Sequence, residues 1–211
     1  MMDLVEELGF LPFFDCGIDG FSADELVDPE CRYRPLPDGG WDWPLWDWKG
    51  PIVKETHCAY GKFFNGKAGF ISREWWPDFC NWRRSLHPAP AEDSIEGIIL
   101  DVLHLNGSMI TRDLRNACGL GGPKLRGKFD GYTTRLEMAA RVVIEDFVYA
   151  HDKHNRPYGW GLALLNTPEN LLGRELCQCD RTPEQSYRRM VQHLRTFLPD
   201  ASDRQLERLL S

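Results

Sequence analysis

The stretch Lys54-Glu55-Thr56-His57-Cys58 sets a carboxylate, an imidazole and a thiol side by side. On an extended strand Glu55 and His57, two positions apart, project from one face. Such a pair can move protons on a base or a sugar. The competing reading is a half-buried strand with a salt-bridged Glu55. Nothing nearby in sequence draws the Cys58 thiol toward thiolate.

A second constellation is cationic. Lys124, Arg126 and Lys128 lie in the glycine-rich run GGPKLRGKFDG, and Arg112 and Arg115 precede it. Thr133, Thr134 and Arg135 follow at the start of a helical pattern, and Lys153, His154 and Arg156 sit in HDKHNRP. Cations on a flexible loop can track phosphates, while a helix N-terminus adds backbone donors and a favourable dipole. Thr133, Thr134 and Arg135 are then the side chains to approach base edges or sugars, with Lys153, His154 and Arg156 along a neighbouring backbone. The alternative is a set of ordinary solvated charges on a protein-binding surface.

The elements that must hold these residues follow from periodicity. Ile95, Ile98, Ile99, Val102, Leu103 and Leu105 recur at helical spacing, with Asp93 or Ser94 as cap and Gly107 as stop. Thr111 caps a short helix through Ala117, and a third helix runs from about Tyr132 to Arg141, with Tyr132, Leu136, Ala139 and Ala140 inward. VVIEDFVYA and YGWGLALL then read as two strands around the basic loop. Three helices followed by a hairpin predict a winged helix-turn-helix over 93–165, a scaffold that often sets one helix against a nucleic-acid groove.

Residues 1–92 read as an aromatic-rich α+β section. It opens on a helix, MDLVEELG, and contains a hairpin, Thr56–Phe64 and Lys67–Ile71, around the turn Asn65-Gly66. Ser72 caps the helix that follows, with Pro77 marking a break or restart. Seven of the eight tryptophans precede residue 83. Trp41, Trp43, Trp46 and Trp48 alternate like strand residues around Pro44. They fit apolar faces stapling a loop over the hairpin better than a pocket for an unstacked base, because Asp42 and Asp47 interleave them. His87-Pro88-Ala89-Pro90 hinges this section to the next. Residues 166–211 form C-terminal helices, started by Thr167-Pro168-Glu169 and Thr182-Pro183-Glu184. The fold class expected is α+β throughout.

Composition narrows the rest. The net charge is −7, yet residues 1–60 carry −9 and residues 107–161 carry +3. A polarised chain of this kind can present one basic face to a polyanion, with modest and salt-dependent affinity. Seven cysteines with no Cys-x-x-Cys pair predict reduced thiols, no metal site and no cofactor. No apolar run is long enough to span a bilayer and no basic leader is present, so a cytoplasmic location is expected.

The stretches WKGPIVKETHCAYGKFFNGKAGFISREWWPDF, TTRLEMAARVVIEDFVYA and DKHNRPYGWG resemble those of bacterial AlkZ-related proteins, across nearly the whole chain. That family is named for its similarity to the YcaQ/AlkZ DNA glycosylases, which are built from tandem winged-helix domains. The resemblance implies duplex or damaged DNA as partner. It also implies a link to hydrolysis of the N-glycosidic bond, which those enzymes perform with a Gln-x-Gln or Gln-x-Asp pair that positions water. No such pair stands before the winged helix; the glutamines are Gln178, Gln185, Gln192 and Gln205. The leading expectation is a winged-helix DNA-binding protein related to repair glycosylases but lacking their glutamine pair. The alternatives are an active glycosylase on alkylated or crosslinked DNA, with Glu55 and His57 as its candidates, and a winged-helix module that docks a protein partner.

Overall fold

A computed structural model of the chain describes residues 1–37, 39–155 and 157–211; of Pro123, Arg126, Pro157 and Tyr158 only the backbone is described. The order of elements mixes helices with small antiparallel sheets, as an α+β chain should. Helix α1 (Met2–Leu8) turns at Gly9 into β1 (Phe10–Pro12). A short α2 (Ala23–Leu26), β2 (Arg34–Pro35) and β3 (Trp41–Asp42) lead to α3 (Pro44–Thr56). The hairpin β4 (Ala59–Phe64) and β5 (Lys67–Ile71) completes a three-stranded sheet in the order β1-β5-β4, and α4 (Trp76–Leu86) follows. Asn65 and Gly66 have φ of 53° and 76°, the paired left-handed residues of a type I′ turn, as their sequence predicts.

The next elements are α5 (Ile95–Asn106), β6 (Met109–Ile110), α6 (Thr111–Ala117), α7 (Arg126–Met138), β7 (Val143–His151) and β8 (Pro157–Asn166). Strands β6, β8 and β7 pair antiparallel in that order. The predicted cap of α5 is present: the Ser94 hydroxyl accepts the Gly97 N–H, and Gly107 ends the helix at φ 71°. The chain closes with α8 (Pro168–Leu171), α9 (Pro183–Phe197) and α10 (Asp203–Leu210). Capping boxes start α9 and α10, so Gln185 and Gln205 are both engaged as helix caps.

Four local expectations need correction. The tryptophan stretch is helical from Pro44 instead of strand-like, because Leu45, Lys49, Ile52 and Val53 form one buried face at helical spacing. A buried lysine in that face and Pro51 within the helix hide the period from the sequence. Helix α7 begins at Arg126, not near Tyr132, because Phe129 is fully buried one turn ahead of Thr133. Thr111 is the first residue of α6 and its hydroxyl donates to the Ala163 carbonyl at 2.9 Å, so it does not cap. Ser72 does not cap α4 either; its carbonyl accepts the Trp75 and Trp76 N–H groups, and the helix starts at Trp76 with Pro77 in its first turn.

One apolar cluster runs through all three sections, from Phe10, Phe63 and Phe79 through Ile99, Phe129 and Leu165 to Met190 and Leu206. Polar clamps reinforce it. The buried Arg83 donates from Nε to Met138 O at 2.7 Å and from Nη2 to Phe63 O at 2.5 Å. Asp78, fully buried on α4, pairs with Arg181 at 2.6 Å and with Arg189 of α9. Among the described residues no helix is long and apolar enough to cross a membrane.

Candidate nucleic-acid interface

The sequence nominated cations on α6, α7 and the β7–β8 hairpin, and their surroundings differ sharply. Arg112 is exposed and paired with Asp113 at 3.1 Å, while Arg115 is half-buried beside Leu114. Lys124 lies in the 3-10 turn Pro123–Leu125 ahead of α7, and Lys128 lies in the first turn of α7; both are exposed. Lys153 and His154 are exposed in the turn between β7 and β8, where the His154 N–H donates to Asp152 Oδ1 at 2.8 Å. Lys124, Lys128 and Lys153 have neither an ion-pair nor a hydrogen-bond partner among the described residues. The Arg126 side chain and Arg156 lie outside the described residues.

The second half of α7 is less free than its sequence suggests. Thr133 is buried and donates its hydroxyl to the Phe129 and Asp130 carbonyls, at 3.3 and 3.1 Å, so it does not reach a ligand. Thr134 accepts the Lys62 ammonium at 3.0 Å, and Lys62 belongs to β4. Arg135 is held by Glu96 through Nε at 3.0 Å and Nη2 at 2.5 Å. Glu137, buried, accepts the Lys62 backbone N–H at 2.8 Å. Burial pushes its carboxyl up to about 7, against the pull of the Lys62 charge and N–H. Strand β4 therefore covers the later turns of α7 and leaves its first turns open.

The tryptophans grip the β7–β8 hairpin, not the Asn65-Gly66 hairpin that the sequence suggested. Trp41 stacks on Trp160 of β8 with centroids 4.5 Å apart and planes 6° from parallel. Trp43 and Trp46 meet Trp160 edge-on at 6.3 and 5.5 Å, and both also pack on Phe13. Beneath them Lys49 is buried, with Nζ 3.8 Å from the Trp46 ring centre and 4.1 Å from that of Phe147. It donates to Trp46 O at 2.8 Å and to the Tyr149 hydroxyl at 3.2 Å. Burial drags its ammonium down to about 8, with Asp47 and Asp146 pulling the other way. Lys54 ties α3 to β7 again, 2.6 Å from Asp146.

Glu55 and His57 are not neighbours on a strand. Glu55 is exposed in the last turn of α3, and His57 ends that helix in the left-handed region at φ 52°. His57 instead borders a cavity of about 210 Å³ with Lys54, Cys58, Arg73 and Glu145. Burial pushes the Cys58 thiol up to about 11, which removes it as a nucleophile. Glu145, which the sequence did not single out, borders the same cavity. Its Oε2 accepts the Ser108 hydroxyl and, at 3.1 Å, the Asn166 amide, which also donates to Ser108 Oγ at 2.8 Å. Pairing of Val143 with Asn166 across the sheet sets this contact, and no motif of adjacent residues announces it. No group of three or more His, Cys, Asp or Glu with metal-holding geometry occurs among the described residues.

The chain sets an exposed pair of lysines around the start of α7 and a third in the β7–β8 turn on a mixed α+β frame. The family described as AlkZ related matches residues 1–211, and the chain belongs to that AlkZ-related family. No curated protein and no solved structure matches it.

Proposed function

We propose that the protein binds DNA through residues 93–165, read as a winged helix-turn-helix with α7 as its recognition helix and the β7–β8 turn as its wing. The order α5, β6, α6, α7, β7, β8 with a three-stranded sheet supports that reading. Membership of a family related to DNA glycosylases points the same way. The observation that carries it is the trio Lys124, Lys128 and Lys153, exposed and unpaired among the described residues, where a winged helix would meet phosphates. Arg112, Arg115, Arg126, His154 and Arg156 would extend the track. Residues 1–92 and 166–211 act as buttresses that fix this unit. Seven free thiols suit a reducing compartment such as the cytoplasm.

Titration of a labelled duplex at rising salt tests the reading. Affinity should fall steeply with salt, and charge reversal at Lys124, Lys128 and Lys153 should weaken binding to all sequences alike. An affinity indifferent to salt would sink it.

A second reading, hydrolysis of a glycosidic bond, is favoured by Glu145 alone. Its Oε2 is fixed by Ser108 and Asn166, and the residue borders the His57 cavity, where a carboxylate can orient water. Abasic-site formation in an alkylated duplex, abolished by Glu145→Gln, would establish it. The absence of abasic sites at high protein concentration would exclude it.

A further inference from the structure

Insertion of the middle of α7 into a groove, as a recognition helix would do, is obstructed here by Lys62 on Thr134 and Glu137. A different surface is open. Trp160 is 51% exposed although it stacks on Trp41 and meets Trp43 and Trp46 edge-on. About half of the residue thus stays in contact with solvent beside a ring that already stacks on one of its faces.

Its backbone is built for that pose. Gly159 and Gly161 flank Trp160 at φ 80° and 72°, both in the left-handed region. A Cβ on Gly161 would come within 3.1 Å of the Tyr149 ring and 3.3 Å of Phe147. The pairing of β7 with β8 shifts register here, from Val148 with Leu162 to Ala150 with Tyr158, so Trp160 lies on a bulge in the strand.

We propose that Trp160, backed by Trp41, is a stacking platform for one unstacked base of a single-stranded nucleic acid; this rests on the DNA-binding reading above. Aromatic faces receive any base by stacking, and nearby cations follow the backbone. Lys153, exposed in the turn that enters β8, supplies the cation, and His154 beside it adds a hydrogen-bonding side chain. Of the interleaved carboxylates, Asp42 is neutralised by its ion pair with Arg34, whereas Asp47 stays exposed on α3. The phosphates therefore pass on the turn side of Trp160 and not over α3.

The test compares three labelled ligands on the full chain at low salt: an oligo-dT strand, an equally long strand of abasic spacers, and a duplex. The base-bearing strand should bind about ten-fold tighter than the abasic one, within the range that one stacked base contributes. Trp160→Ala should erase that preference and Trp160→Phe should retain part of it. Equal affinity for the two single strands in the wild-type protein overturns the platform, without requiring any variant to fold. If the duplex still binds, the DNA-binding reading survives that result. If none of the three binds, both fall. A concentration-dependent dimer that Trp160→Ala dissolves, with no base preference, would assign the surface to a second copy of the chain and overturn the proposal.

Discussion

Glu137 and Lys62 meet twice, once through the Lys62 N–H at 2.8 Å and once through its ammonium at 3.8 Å, inside the contact between α7 and β4. The carboxylate is fully buried, and its folded value near 7 stands above the unfolded value of about 4.3. The folded state thus binds more protons between those values, and stability must fall as pH rises through that window. Below it the group is protonated in both states and costs nothing. Glu137→Gln, which keeps an acceptor for the Lys62 N–H, should stabilise the protein by roughly 3 kcal/mol at pH 8 and hardly at all at pH 4. Melting temperatures of the two proteins at both pH values would show it; a destabilised variant at pH 8 would refute the assignment.

Asp78 behaves in the opposite sense. Burial alone would raise its carboxyl, but hydrogen bonds from Arg181, Ser186 and Arg189 outweigh burial and hold it below the usual carboxylate range. Its contribution is present above the unfolded value of about 3.9 and is lost as pH falls through the lower folded value. Asp78→Asn should cost about 2 kcal/mol at pH 7, less than the ~3–5 kcal/mol of a fully buried pair. The reason is that Arg181 and Arg189 keep 44% and 37% of their side chains in water. Urea unfolding at pH 7 and pH 3 would measure both, and the difference between variant and parent should shrink at the acid end.

If Lys124, Lys128 and Lys153 contact phosphates, each change to Ala should reduce the slope of log affinity against log salt by about 1. A triple variant should lose about 3 in slope. Titrations at four or five salt concentrations would resolve this, and an unchanged slope would place DNA elsewhere on the surface.

Gly161→Ala should cost about 1–2 kcal/mol for the left-handed backbone. The added methyl also presses on Tyr149 and Phe147, so the Trp160 indole should shift against Trp41. Near-ultraviolet circular dichroism, which reports coupled indoles, should change even where the melting temperature moves little. Identical spectra would mean that the glycine does not set the pose.

Much of the frame was legible because local chemistry and tertiary packing agree. Ser94 and Gly107 bracket α5, Asn65-Gly66 makes the hairpin turn, and Thr182 with Gln185 starts α9. Helix α3 was not, because Lys49 occupies a core position that an apolar pattern would assign to a hydrophobe. The start of α7 was hidden by Gly127 and Lys128 around a single apolar residue, Phe129. At the interface, which cations are charged is a sequence property, but which remain unpaired is not. Arg135 loses its freedom to Glu96 and Thr134 to Lys62, partners far away in the chain. Trp160 gave no local sign either, since the ring that backs it belongs to β3.

Arg83 carries a consequence for how the chain assembles. Its guanidinium is buried with no hydrogen-bond partner for Nη1 among the described residues, so the Phe63 and Met138 carbonyls are the two acceptors that offset its loss of water. One carbonyl ends up on the first hairpin and the other at the end of α7, so neither half alone offers both acceptors. A buried cation that demands two witnesses at once penalises every half-built molecule, and the two halves should melt together in one cooperative step.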